Sequence, residues 1–118
     1  MTNRFHKITH HDSRARLVSP ELNIDAEGCL YMWYFNDNRT TREERNTLNV
    51  FRSHLTGSVS LLFRLQIHKN LAYCLNQLIE VLQGGRYCLI LEAVYGNEYG
   101  EEDYVGLDNI EIYNRFCS

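Results

Sequence analysis

The run Gln77-Leu78-Ile79-Glu80-Val81-Leu82-Gln83-Gly84-Gly85-Arg86-Tyr87-Cys88-Leu89-Ile90-Leu91-Glu92-Ala93-Val94 decides the fold class. Two aliphatic stretches flank a pair of glycines, and neither stretch repeats its apolar residues at the three- and four-residue spacing of a helix. Glycine tolerates positive φ, so Gln83-Gly84-Gly85-Arg86 reads as a tight turn and Leu78 to Val94 as one β-hairpin. In that register Leu82 faces Tyr87 and Val81 faces Cys88. Cys74 and Cys88 then lie about 23 Å apart along the ladder, against a disulfide limit of about 7 Å between Cα atoms.

Outward from this stretch the same grammar recurs: short apolar runs bounded by Gly, Asn and Asp. Strands are predicted near Ala15 to Ser19, Cys29 to Phe35, Thr47 to Phe51, Ser60 to Gln66, Gln77 to Leu82, Tyr87 to Val94 and Tyr104 to Tyr113. Pro20 has no backbone N–H to donate and ends the first of them. The charged stretch Asn36 to Asn46 reads as a surface loop between two apolar strands. Several short strands with regularly spaced turns imply an all-β, antiparallel fold of sandwich or barrel type. At 118 residues the chain has room for one core.

Apolar residues make up 44% of the chain, with eight Tyr and five Phe, enough to fill a core and to exclude disorder. A formal charge of -3, from 12 basic and 15 acidic residues, offers no footprint for a phosphate backbone, so nucleic acid is not an expected partner. No run approaches the roughly 18 apolar residues of a membrane-spanning helix, so no transmembrane segment is expected. Met1 to Lys7 carries charge with no apolar stretch behind it and does not resemble a secretory leader. The chain reads as a piece of a larger protein or one whose upstream sequence is missing.

Four segments in order resemble the MAM domain, the module of meprin and the receptor-type tyrosine phosphatases. Ala15-Arg16-Leu17-Val18-Ser19-Pro20 is similar to the family's Ala-Arg-Leu-x-Ser-Pro strand. Cys29-Leu30-Tyr31-Met32-Trp33-Tyr34 with Thr47-Leu48-Asn49-Val50-Phe51 resembles its Cys-Leu-aromatic and Thr-Leu-Asn-Val-Tyr strands. Tyr87 to Gly96 is similar to its alternating apolar strand ending in Glu-Gly/Ala-x-x-Gly. Val105-Gly106-Leu107-Asp108-Asn109-Ile110 and Cys117 resemble its Ile-Ala-Leu-Asp-Asp-Ile run and closing cysteine. The family's opening strands, with a Phe-Glu pair and two further cysteines, have no counterpart before Arg14. Residues 1–13 are therefore read as a poorly anchored segment and 14–118 as a partial, N-terminally incomplete MAM-like domain.

The resemblance implies a jelly-roll sandwich of two antiparallel sheets, no reaction, and a role in adhesion or assembly through another protein chain, a copy of itself included. It also implies an extracellular setting, secreted or on the outer face of a membrane, within a larger protein. Cys29 and Cys117 occupy the positions of a family cysteine pair, which implies a disulfide between them in an oxidising compartment. Some MAM relatives hold a cation near the acidic edge, where Asp103 and Asp108 are candidate Ca²⁺ ligands; an Asx turn at Asp108 and a solvated loop explain the same residues without an ion.

Asn38-Arg39-Thr40 is an N-glycosylation sequon in the polar loop, which marks Asn38 as an acceptor in a secreted protein. The five histidines are scattered, the cysteines show no Cys-x-x-Cys spacing, and no Gly-x-Ser-x-Gly elbow surrounds a serine. A hydrolase would need paired carboxylates such as Glu92 and Asp108 in one open cleft, about 5 to 10 Å apart. Alternation places Tyr31, Trp33 and Phe35 on one face and Met32 and Tyr34 on the other, so one set packs in the core. The other set is a candidate stacking platform, and a carbohydrate-binding, lectin-like sandwich is the alternative function.

Overall fold

A computed structural model of the chain describes residues 6–11, 14–37, 46–67, 76–94 and 104–117. These form strands β1 (His6–His11), β2 (Arg14–Val18), β3 (Leu22–Asp37), β4 (Asn46–His54), β5 (Val59–Ile67), β6 (Asn76–Val94) and β7 (Tyr104–Tyr113), all paired antiparallel. The fold is an all-β, two-sheet sandwich of jelly-roll type. The polar loop expected after β3 lies for the most part outside the described residues, as do the sequon at Asn38 and the residues Cys74 and Asp103.

One expectation is corrected. Gly84-Gly85 does not turn the chain back: the two runs expected to form a hairpin are one strand, β6. Its second half, Tyr87 to Val94, runs between β2 and β4, and its first half pairs with β3, which carries β7 on its other edge. With β1 beside β2 and β5 beside β4, β6 belongs to both layers.

The glycines serve a close approach instead of a turn. Ile24 pairs with Gly85 and Glu27 with Gln83, so Asp25 and Ala26 of β3 bulge opposite Gly84. A Cβ on Gly84 would lie 2.9 Å from the carbonyl oxygens of both Asp25 and Ala26. Gly85 adopts φ +143°, a conformation that L side chains rarely adopt. The alternation of β6 slips there, with Leu82 inward before the glycines and Tyr87, Leu89 and Leu91 inward after them. The Tyr87 hydroxyl donates to the Gln83 carbonyl at 2.5 Å, tying the two sides of the step together.

The corrected path removes the register that had separated Cys74 from Cys88; Cys88 is a half-buried free thiol. A glycine turn does occur between β4 and β5, where Gly57 has φ +95° and its N–H donates to the His54 carbonyl at 2.9 Å. β1 is a further addition, its backbone aligned on β2 ahead of the first strand expected from sequence.

The core lies between the layers. Leu30, Met32 and Tyr34 of β3 and Ile112 of β7 meet Leu48 and Val50 of β4 and Leu82, Tyr87, Leu89 and Leu91 of β6. Burial of each aliphatic side chain contributes about 1.5 to 3 kcal/mol. Met32 and Tyr34 are thus the inward set of the aromatic strand, leaving Tyr31 and Trp33 on the outer face.

Candidate functional site

The outer face of the β2–β6–β4–β5 layer carries a polar row. Arg16, Glu92, Asn49 and Arg64 stand side by side in direct cross-strand register, one from each strand. Arg16 Nε donates to Glu92 Oε2 at 2.5 Å, Asn49 Nδ2 donates to Glu92 Oε1 at 3.2 Å, and Arg64 Nε donates to Asn49 Oδ1 at 2.9 Å. Arg14, two residues before Arg16 on the same face, brings its guanidinium to 4.0 Å from Glu92. Around this row opens a cavity of about 300 Å³, lined also by Thr47, Phe51 and Val94.

Glu92 and Asn49 are only 2% and 3% exposed, although alternation turns them away from the core residues Leu91 and Val50. Burial alone would push the Glu92 carboxyl up. Hydrogen bonds from Arg16 and Asn49, with the charges of Arg16 and Arg14, outweigh it and hold the carboxyl below its ordinary value. A carboxylate so paired is a poor general acid or base. Asp108 belongs to β7 in the other sheet, paired with Trp33. The two carboxylates therefore do not form the paired open site that hydrolysis requires.

The outer face of the β6–β3–β7 layer is different in character. Tyr31 pairs across strands with Ile79, and Cys29 with both Val81 and Tyr113. The Tyr31 and Tyr113 rings meet edge-on, 5.5 Å between centroids and 78° between planes, and the Arg115 guanidinium sits 4.3 Å from the Tyr113 ring centre. Ile79, Val81 and Phe116 are 45%, 49% and 66% exposed. Tyr113 also donates to Glu111 Oε2 at 2.7 Å, and this bond, followed by desolvation and the Glu111 charge, raises the phenol above its ordinary value.

Cys29 and Cys117 are joined in a disulfide with Cα atoms 5.1 Å apart. It pins the C-terminal segment to β3, with Cys117 Sγ 3.7 Å from the Glu80 carbonyl oxygen. Asp108 is exposed, and its carboxylate accepts the Asn109 N–H at 2.9 Å; Asn109 itself has φ +49°. Among the described residues no group of three or more His, Cys, Asp and Glu side chains is arranged to hold a metal, and no helix is long and apolar enough to cross a membrane.

The family model for the MAM domain, meprin/A5/mu, matches residues 2–118. The chain belongs to the MAM domain family. Among curated proteins none matches this MAM chain in sequence. Among solved structures it is similar to the cleaved adhesin domain K3 of Lys-gingipain from Porphyromonas gingivalis, at 15% identity and TM-score 0.63, over 86% of this chain and 64% of that one. The MAM chain thus spans less than two thirds of that adhesin domain. It is also similar to a family 16 carbohydrate-binding module, at 11% identity and TM-score 0.52, over 86% of this chain and 70% of that one. Likeness at such identity shows the β-sandwich fold alone.

The sequence points to Cys29, Cys117, Asp108 and the aromatic strand, and to Glu92 only as a carboxylate that hydrolysis would pair with Asp108; the polar row around Glu92 is not among its readings. Two signals for it were present: Arg14 and Arg16 at strand spacing, and Glu92 inside the apolar run Leu89 to Val94.

Proposed function

We propose that this chain is a non-catalytic adhesion or assembly module, working in the extracellular part of a larger protein and binding another protein chain through the outer face of the β6–β3–β7 sheet. The carrying observation is that exposed Ile79 and Val81 stand in cross-strand register with Tyr31 and Cys29, next to the Tyr31–Tyr113 ring pair and Arg115, with a further exposed apolar side chain at Phe116. Aromatic and Arg side chains around an apolar centre are the composition of protein interface cores. The aliphatic part of the patch and the edge-on ring pair favour a protein surface over a neutral sugar, which binds mainly by stacking on a flat aromatic face. Family membership and the Cys29–Cys117 disulfide, a bond of oxidising compartments, support the extracellular setting.

The test is a bead-adhesion assay with the chain coupled at high density. One arm mixes coated beads with each other and the other mixes them with intact animal cells. Adhesion above that of bare beads in either arm, abolished by Ile79→Asp with Val81→Asp while the melting temperature holds, is the expected result. Equal adhesion by wild type and variant, or none in both arms, contradicts the reading.

A further inference from the structure

We infer that the arginine-lined cavity on the opposite sheet is a binding site for the carboxylate of a single acidic sugar residue, such as a hexuronate. This goes beyond the protein-binding face and uses the other outer surface of the sandwich. Among the described lining residues three guanidiniums, of Arg14, Arg16 and Arg64, face one carboxylate, that of Glu92. Burying Glu92 is accounted for by Arg16 and Asn49, which bond one carboxylate oxygen each. Arg14 adds only a longer 4.0 Å ion contact to Glu92 and Arg64 bonds Asn49 instead, so with three guanidiniums to one carboxylate the site keeps a positive excess.

The donors suit a planar anion. Each guanidinium carries five N–H donors in a fixed fork, and the bonds of the row engage Arg16 and Arg64 through Nε. Their terminal amino groups, with the 56% exposed Arg14 side chain, match the bidentate geometry of a carboxylate. The row itself fixes the guanidinium planes in advance, which lowers the entropic cost of binding.

Size and overall charge choose among anions. A cavity of about 300 Å³ is on the scale of one sugar ring and far smaller than a protein interface. The formal charge of -3 on the whole chain opposes a polyanion, whereas a glycan with isolated acidic residues brings little repulsion. Thr47 adds a hydroxyl for sugar oxygens, and Phe51 and Val94 flank the row with apolar surface for the C–H face of a ring.

The test titrates methyl β-D-glucuronide, its neutral analogue methyl β-D-glucoside and a short aspartate-rich peptide into the chain, followed by amide chemical shifts. Expected are saturable shifts centred on β2, β4 and β6 with the glucuronide, and affinity at least about tenfold weaker for the glucoside, as loss of one charge-assisted contact implies. Arg14→Gln leaves the Arg16–Glu92–Asn49–Arg64 bonds in place and removes only a 4.0 Å ion contact, so it should weaken glucuronide binding with at most a small drop in melting temperature. Equal binding of glucuronide and glucoside, no saturable shift with either sugar, or unchanged affinity in Arg14→Gln overturns the site. Preference for the aspartate peptide over the glucuronide overturns the assignment to a sugar.

Discussion

Ser19 and Leu89 exchange two hydrogen bonds: the Ser19 N–H donates to the Leu89 carbonyl at 2.9 Å, and the Leu89 N–H donates to Ser19 Oγ at 2.8 Å. The pair sits where the edge partner of β6 changes from β2 to β3. Pro20 has no N–H to continue the ladder, and the serine hydroxyl stands in for the missing backbone acceptor while donating to the Pro20 carbonyl at 2.8 Å.

Replacement of Ser19 by Ala should therefore destabilise the domain by about 1 to 3 kcal/mol, because the Leu89 N–H is left buried without an acceptor. Chemical denaturation of both proteins measures it. Faster amide exchange at Leu89 in the variant, with exchange in β7 unchanged, would localise the loss. Equal midpoints would contradict the role given to the hydroxyl.

Gly84→Ala should destabilise the domain, although it would reduce the entropy of the unfolded chain. The new methyl group would lie 2.9 Å from two backbone carbonyl oxygens, neither the end of a flexible side chain. The strands must separate, and a loss of about 2 to 3 kcal/mol is expected from overpacking of this kind. A change within about 0.5 kcal/mol would count against the close approach, because it would mean that the added methyl group meets neither carbonyl.

The class of the fold was legible because alternation and turn residues are local, and each strand bears them. The role of Gly84-Gly85 was not. A glycine pair serves a turn or a close approach equally well, and the deciding groups, the Asp25 and Ala26 carbonyls, are distant in sequence. The same holds for the polar row. Arg16, Asn49, Arg64 and Glu92 come together only through the register of four strands, and register is a property of the assembled sheet. Cys29 and Cys117 were paired in advance through the family resemblance alone, since four cysteines allow several connectivities.

Acid should weaken the domain through Glu92. Its carboxyl titrates in the folded state below the ordinary value of 4.5, so its stabilising contribution is complete above that pH and is lost as pH falls through the lower, folded-state value. Glu92→Gln removes the charge and should cost about 2 to 3 kcal/mol at neutral pH, toward the low end for a broken buried pair because Arg16 can be resolvated. The gap between wild type and variant should then close on acidification. A gap that stays constant from neutral pH to strongly acidic solution would refute this assignment.

The disulfide closes a sequence separation of 88 residues. In the chain-entropy picture a loop of that size stabilises the fold by about 4.6 kcal/mol, so reduction should lower the unfolding midpoint sharply. Peptide mapping of protein from a secretory host should find the Cys29 and Cys117 peptides linked and Cys88 alkylatable after unfolding. A Cys88 cross-link in place of this pair would contradict the arrangement.

Both outer faces depend on β6 passing through Gly84-Gly85 into two sheets: Ile79 and Val81 belong to one surface and Glu92 to the other. Nitroxide labels at Ile79→Cys and Ile90→Cys, with Cys74 and Cys88 changed to Ser, report this path by electron–electron dipolar spectroscopy. At about 3.3 Å per residue, 11 residues of continuous strand span about 36 Å, less any bend. That fits within a molecule 45 Å in its longest dimension. An interlabel distance beyond about 20 Å is the predicted result; in a hairpin centred on the glycines the two positions would face each other about 5 Å apart at Cα, and strong short-range broadening would contradict the fold and both surfaces built on it.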